Sequence, residues 1–308
     1  MISSNLSVII LTHDRPDLVL KSLSSICRNL KAFDFNIFVS DNSPNDFSKN
    51  LILRYIKKTK IKIDYQENKD CHSSRSHFKK VINNCTTKYC MLFHDDDVLM
   101  PNAFDELQEY FNKLEKLSAI GFNGYLLKGK IYSNHLYCRN ITGNEYYTDN
   151  KLNEFIESYL GYLPRNVPFP SFIYRTDFLK KSFNKILEFN ETKHADLQLL
   201  VFLLKYGPIL VVNKPLMYYR IHAGSDSHSE NMADRKALIS NLIDAKQLHE
   251  GSILKDIYLA KSSINFHYSI FKNQSSYINF TKLLFICLFN AKFLVIYFGK
   301  KLQSKINV

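Results

Sequence analysis

The chain has 308 residues, 45% hydrophobic and 14% aromatic, and a formal net charge of +12. That length and apolar share exclude a disordered or fibrous chain and suffice to bury one large domain, or one domain with an appendage. No fixed-period repeat or Pro-, Gly- or Ser-rich linker is visible, and the positive charge points to an acidic partner: nucleic acid, an anionic membrane surface or a phosphorylated substrate.

LSVIIL (6–11) is a short continuous apolar run and predicts a buried strand. In the following RPDLVLKSLSSICRNLK, Leu23, Ile26, Cys27 and Leu30 recur at helical spacing. The alternation repeats through FNIFVSD (35–41), a helix over 46–58, IKIDYQE (61–67), a helix over 74–84 and YCMLF (89–93). Strands interleaved with helices predict parallel βαβ units, hence an α/β fold with an open, mostly parallel sheet flanked by helices on both faces.

Beyond Pro101 the pattern reads as a helix over 102–116, strands around 119–133, a region containing PSFIYRTDFLKKS, a helix DLQLLVFLLKYG and a strand PILVVNKPLMYYRIH. From about residue 229 it is helical to the end, which places an α/β domain over 1–225 and a helical C-terminal region over 226–308. The stretch KLLFICLFNAKFLVIYFGKK (282–301) is apolar but broken by Asn290 and Lys292. A spanning helix needs about 20 mostly apolar residues, so a helix lying on an anionic membrane surface is expected, with a core or subunit-contact helix as the alternative. The six cysteines form no CxxC pair, and MISSNLSVIILTHDR has no basic, apolar, then small-residue leader, which predicts a reduced, cytoplasmic context.

In open α/β sheets ligands bind beyond the carboxyl ends of the strands. The polar clusters fall there: Thr12, His13 and Asp14 after the first strand, Asp41, Asn42 and Ser43 after the second, and Asp95, Asp96 and Asp97 after the fourth. Adjacent carboxylates with hard oxygen donors suit Mg²⁺ or Mn²⁺, and a shared cation removes their mutual repulsion. The competing reading is a solvated acidic turn, with Asp97 capping the helix after Pro101. Cys71, His72, Cys85, Cys90 and His94 match no common zinc spacing, and Cys90 falls inside a buried strand, so zinc is not expected.

Four segments in order, SVIILTHDRPDLVLKSLSSI, VSDNS, ENKDCHSSRSHFKKVINNCTTKYCMLFHDDDVLMP and KHADLQLLVFLLKYGPILVVNKPLMYYRIHAGSDS, resemble the family 2 glycosyltransferases of the GT-A fold over roughly residues 6–228. The resemblance implies that Thr12, Asp14 and Arg15 lie against a nucleotide, that Asp41 contacts its uracil and ribose, and that Arg75 sits near the base or diphosphate. Asp95 to Asp97 would be the DXD-type motif, with Asp95 and Asp96 also facing the nucleotide, and Asp95, Asp97 and the late His222 forming the metal set. Asp196 would be the catalytic base, taking the acceptor's proton as its hydroxyl attacks and inverts the anomeric centre.

Each position also has a plain structural use: Asp196 as a first-turn carboxylate favoured by the helix dipole, Asp41 in an Asx turn, Arg75 on a helix surface, and His222 in a turn. The chain departs from the family where relatives usually carry Tyr-Asn in place of His13 and Asp14, glycine in place of Asp70, asparagine in place of Ser76 and glutamate in place of Ala195. The expected activity is an inverting, Mn²⁺- or Mg²⁺-dependent transfer from a nucleotide-sugar donor, UDP-sugar favoured, to a glycan or lipid-linked saccharide in bacterial surface polysaccharide synthesis. The alternatives are a two-metal nuclease or phosphodiesterase, or a non-enzymatic scaffold on the membrane surface. A nucleic-acid partner is not expected, because the lysines form no dense block and no nucleic-acid module is recognisable.

Overall fold

The computed structural model of the chain describes residues 5–30, 33–160, 165–222, 232–273, 277–291 and 295. In chain order it opens with β1 (Leu6–Thr12), α1 (Pro16–Asn29), β2 (Asn36–Asp41), α2 (Phe47–Thr59), β3 (Ile63–Glu67), α3 (Ser74–Asn84) and β4 (Tyr89–His94). Then come β5 (Val98–Leu99), α4 (Ala103–Phe111), β6 (Ala119–Lys128), β7 (Ile131–Leu136), β8 (Glu145–Tyr147), α5 (Leu152–Leu160), β9 (Ile173–Arg175), α6 (Thr176–Ile186), α7 (Ala195–Leu204) and β10 (Ile209–Ile221). The helices α8 (Met232–Asp244), α9 (Ile253–Asn273) and α10 (Tyr277–Phe289) follow.

Local chemistry explains the expected elements. Pro16 opens α1 at a position where its missing N–H costs nothing, with Asp17 in the first turn and Arg28 in the last, as the helix dipole favours. A reciprocal capping box between Ser73 and Ser76 starts α3. In β4, residues Tyr89 to Phe93 are all buried, the signature of a strand covered on both faces.

The strands form one ten-stranded sheet in the order β3-β2-β1-β4-β9-β6-β10-β5, with β7 on β6 and β8 on β10. β1, β2, β3 and β4 pair in parallel, as do β6 and β10. β9 runs antiparallel to both β4 and β6, so those two point the same way and the long strands share one direction. The inserted β9 was not evident in the sequence, because three residues are too few to show a period. The expected 119–133 strand region is a hairpin of β6 and β7, turned at Gly129, whose φ of 60° lies in the left-handed region.

The chain divides into two compact units. One holds residues 1–150, 167–186 and 202–225 and contains the whole sheet; its core runs from Val8, Ile10, Leu23 and Ile26 through Val39, Met91 and Phe93 to Phe104 and Leu107. The other holds residues 151–166, 187–201 and 226–308. In it α9 packs against α5, α8 and α10, and Asn241 donates to the Asn190 carbonyl and to Gln198 Oε1. Among the described residues no helix is long and apolar enough to cross a membrane; residues 292–294 and 296–301 of the apolar C-terminal stretch lie outside the described residues.

Gly121 of β6 faces the fully buried ring of Phe172, and a Cβ there would lie 2.5 Å from Phe172 Cε1. Gly121→Ala is therefore expected to cost about 1–3 kcal/mol in urea unfolding, and Phe172→Leu in the same chain to recover part of it. His77 is buried on α3 with Nε2 2.6 Å from Ser40 Oγ, and burial pushes its pKa from 6.5 down to about 4. The unfolded chain then binds more protons between those values, so stability is held above pH 6.5 and falls as the pH drops toward 4. His77→Gln should flatten that part of the profile of urea midpoint against pH.

Candidate functional site

Strand register assembles the site. Thr12, the last residue of β1, pairs with Asp41, the last of β2, and Leu11 pairs with His94, the last of β4. Glu67 at the end of β3 pairs with Asp41. Four strand ends thus stand level, and the loop carrying Asp95, Asp96 and Asp97 emerges from that edge, where open α/β sheets bind ligands.

All three aspartates are buried. Asp95 Oδ2 accepts from Thr12 Oγ1 at 2.8 Å, and Oδ1 accepts from Arg15 Nη1 at 3.1 Å. Asp96 Oδ2 lies 2.8 Å from His222 Nε2 and 3.5 Å from Arg15 Nη1. Asp97 Oδ1 accepts the Arg220 backbone N–H at 2.8 Å, whereas Asp97 Oδ2 is buried without a hydrogen-bond partner among the described residues. Burial pushes the Asp95 carboxyl above its ordinary range, with Arg15 opposing it; the Asp97 carboxyl rises well above, through burial and then the neighbouring Asp96 charge.

His94, Asp96 and Asp97 each offer one ligand atom within 4.8 Å of the others, the one such grouping of His, Cys, Asp or Glu among the described residues. Cys71, His72, Cys85 and Cys90 take no part in it. An orphaned, buried carboxylate oxygen beside a second carboxylate is what a hard divalent cation satisfies, so this donor set fits one.

The residues that the resemblance assigns to a nucleotide follow β1 and β2 along the same edge. Asp14 has φ 52°, in the left-handed region that asparagine and aspartate tolerate better than most residues. Its N–H donates to Ser43 Oγ at 2.8 Å, and its Oδ1 accepts from Asn45 at 2.9 Å. His13 Nδ1 lies 3.0 Å from Asn42 Oδ1. Asp41 is buried; its Oδ1 accepts from Ser43 N–H, closing an Asx turn, and its Oδ2 accepts from Tyr65 OH at 2.9 Å. Burial, then the bond to Asp41, raises the Tyr65 pKa.

Arg75, on α3, donates to the carbonyl of Ile186 at the end of α6, at 2.6 Å. Asp196 lies in the first turn of α7, in the second compact unit, where its charge acts on His194 and on Tyr258.

Sequence reasoning did not single out Arg220, and it weighed His94 only within a zinc set that it set aside. Arg220 is buried; its Nε donates to the Asp96 carbonyl at 2.7 Å and its Nη1 to the Gly129 carbonyl, so it clamps the aspartate loop to β10 and to the β6–β7 turn. The available signal was an arginine inside the apolar run of β10. For His94 the signal was a histidine closing a wholly apolar strand directly before three aspartates.

A family model described as glycosyl transferase family 2 matches residues 7–183, more than half of the chain. A search of curated proteins gives no match. Among solved structures, S. aureus TarS 1-349 in complex with UDP-GlcNAc aligns with TM-score 0.58 and 16% identity, covering 92% of this chain and 79% of that one. The S. aureus TarS 1-349 structure itself gives TM-score 0.56 and 18% identity over 88% and 73% of the two chains. The mannosyltransferase PcManGT from Pyrobaculum calidifontis, in complex with GDP-Man and Mn²⁺, gives TM-score 0.56 and 10% identity over 98% and 88%. At these identities the likeness shows the fold, the GT-A architecture with its mostly parallel central sheet.

Arg220→Leu would leave the Asp96 and Gly129 carbonyls without their donor. The variant is expected to lose about 1–3 kcal/mol or more in urea unfolding. An unchanged midpoint would show that other contacts hold the loop.

Proposed function

The chain belongs to glycosyl transferase family 2 and is a glycosyltransferase, and on that premise we propose that it moves a sugar, with inversion, from a nucleotide-sugar donor to a saccharide or lipid-linked saccharide acceptor. The observation that carries the reading is the buried, unpartnered Asp97 Oδ2 beside Asp96, at the carboxyl edge of the parallel strands. In place of the expected set of Asp95, Asp97 and His222, we take Asp96 and Asp97 to hold a divalent cation, Mn²⁺ or Mg²⁺, because the grouped ligand atoms come from those two and His94, with Asp95 and His222 adjoining. When bound, the cation supplies Lewis-acid stabilisation of the charge that builds on the departing diphosphate. The complexes of the similar folds, UDP-GlcNAc in one and GDP-Man with Mn²⁺ in another, support a nucleotide-sugar donor and a metal.

The chain's own residues divide the remaining tasks. Arg15, bonded to Asp95 and Asp96, brings positive charge to the position proposed for the diphosphate and orients both carboxylates. Thr12, Asp14 and Asp41 face the nucleoside, UDP favoured, and Arg75 lies toward the base or diphosphate. Asp196 is the proposed general base: the acceptor oxygen bonds to the anomeric carbon, the bond to the nucleoside diphosphate breaks with its electron pair leaving on the diphosphate, and the hydroxyl proton passes to the Asp196 carboxylate.

The proposed setting is bacterial surface polysaccharide synthesis on the cytoplasmic face of a membrane. The net charge of +12 and exposed Leu284, Phe285 and Leu288 on α10 support a peripheral contact with an anionic surface. Contact with a second copy of the chain is the other use of that helix. The free state of all six cysteines suits a reducing compartment.

Melting temperatures with UDP, dTDP, GDP or CMP, each with and without Mn²⁺, test the donor site. A ligand at about 100 times its dissociation constant adds about 2.7 kcal/mol, so one nucleoside diphosphate should raise the melting temperature only with Mn²⁺. Asp97→Asn should abolish that shift while the protein stays folded. Asp196→Asn should keep it yet lose sugar transfer by on the order of a hundredfold or more. A shift that ignores Mn²⁺ and survives Asp97→Asn would defeat the metal assignment.

A further inference from the structure

We propose that His94 is a direct nitrogen ligand of the cation held by Asp96 and Asp97, and that it makes the site prefer Mn²⁺ over Mg²⁺. The inference rests on the reading of those two aspartates as the metal-bearing carboxylates.

His94 Nδ1 lies 3.8 Å from Asp97 Oδ2, the buried oxygen that has no hydrogen-bond partner. That separation is beyond hydrogen-bond range, so the imidazole faces the carboxylate without satisfying it. The two atoms are far enough apart to admit a shared cation and, with the Asp96 carboxylate, fall within the 4.8 Å grouping. The backbone of His94 is held on both sides: it pairs with Leu11 in the parallel ladder, and its carbonyl accepts from Ser22 Oγ at 3.1 Å. The ring lies near Phe169, centroids 6.2 Å apart, and the side chain keeps about a third of its surface open to solvent, so a ligand from that side can reach it.

The choice of metal follows from the donor set. Carboxylates alone present hard oxygen donors, which suit Mg²⁺ and Mn²⁺ alike, whereas an imidazole nitrogen favours first-row transition ions over Mg²⁺. His222 is the other nearby imidazole, but its Nε2 is engaged 2.8 Å from Asp96 Oδ2 and so acts on the carboxylate. Such an orienting contact is the usual business of a neighbour one shell out from a metal.

The test uses the full chain with Mn²⁺ and UDP, read by electron paramagnetic resonance: loss of the free-Mn²⁺ signal measures binding, and electron spin echo modulation detects a directly bound imidazole nitrogen. Wild type should show the nitrogen modulation. His94→Asn, which keeps a polar atom near the Nδ1 position, and His94→Phe should both lose it and bind Mn²⁺ on the order of tenfold or more weakly, at least the loss expected from removing a mere orienting partner. Mg²⁺ binding, read by competition, should stay within about threefold for His94→Asn, since oxygen donors serve that ion. His222→Phe should retain the modulation.

Circular dichroism and the melting temperature establish that each variant is folded. Modulation that persists in His94→Asn and vanishes in His222→Phe would overturn the assignment of His94 while leaving the transferase reading intact. Equal losses of Mn²⁺ and Mg²⁺ in His94→Asn would overturn the selectivity. Failure of wild type to bind Mn²⁺ even with UDP would overturn the metal reading itself.

Discussion

Three aspartates buried side by side at the end of β4 set the terms for everything around them. Like charges so close, withdrawn from water, are costly unless each finds a partner, and the surrounding structure supplies those partners one at a time. Thr12 and Arg15 take Asp95, His222 meets Asp96, and the backbone of Arg220 meets one oxygen of Asp97. One oxygen of Asp97 is left over. A buried carboxylate oxygen left in this state is costly unless a ligand such as a cation satisfies it.

The partners come from remote parts of the chain, and the sheet is what brings them together. β5 is only two residues long, but its antiparallel pairing of Val98 with Tyr218 sets the aspartate loop beside Arg220. β10 reaches that register through irregularities on either side of Pro215, where its parallel pairing with β6 shifts. The Arg220 side chain then ties the loop to Gly129 at the β6–β7 turn. One buried arginine therefore links the aspartate loop, β10 and the hairpin.

The loops after β1 and β2, where the nucleotide is proposed to lie, are built by a different device. Asp14 occupies a left-handed backbone position, and Asp41 spends one oxygen on its own turn and the other on Tyr65. These bonds fix the shape of the loops after β1 and β2, so the same residues that resemble the family's nucleotide contacts are also turn-formers. Of the two readings that the sequence presented for Asp41, the structure shows the turn, one carboxylate oxygen accepting from Ser43 N–H and the other from Tyr65 OH.

Much of this was legible in the one-dimensional pattern. The first four strands, their intervening helices and the α/β class follow from the period of the apolar residues, because burial on a strand or helix imposes that period locally. Polar residues just beyond each strand pointed to the carboxyl edge for the same reason. The short strands β5, β8 and β9 were not legible, since two or three residues carry no period and their existence depends on the neighbours they pair with. Nor was the allocation of partners. Composition and order pointed to Asp95, Asp96 and Asp97 as a candidate site, but only the register between strands distant in sequence decided that Arg220 clamps their loop, that Asp97 keeps an oxygen unpaired among the described residues and that His94 lies beside it. Hydrogen bonds between distant segments are fixed by three-dimensional packing, and no local spacing encodes them.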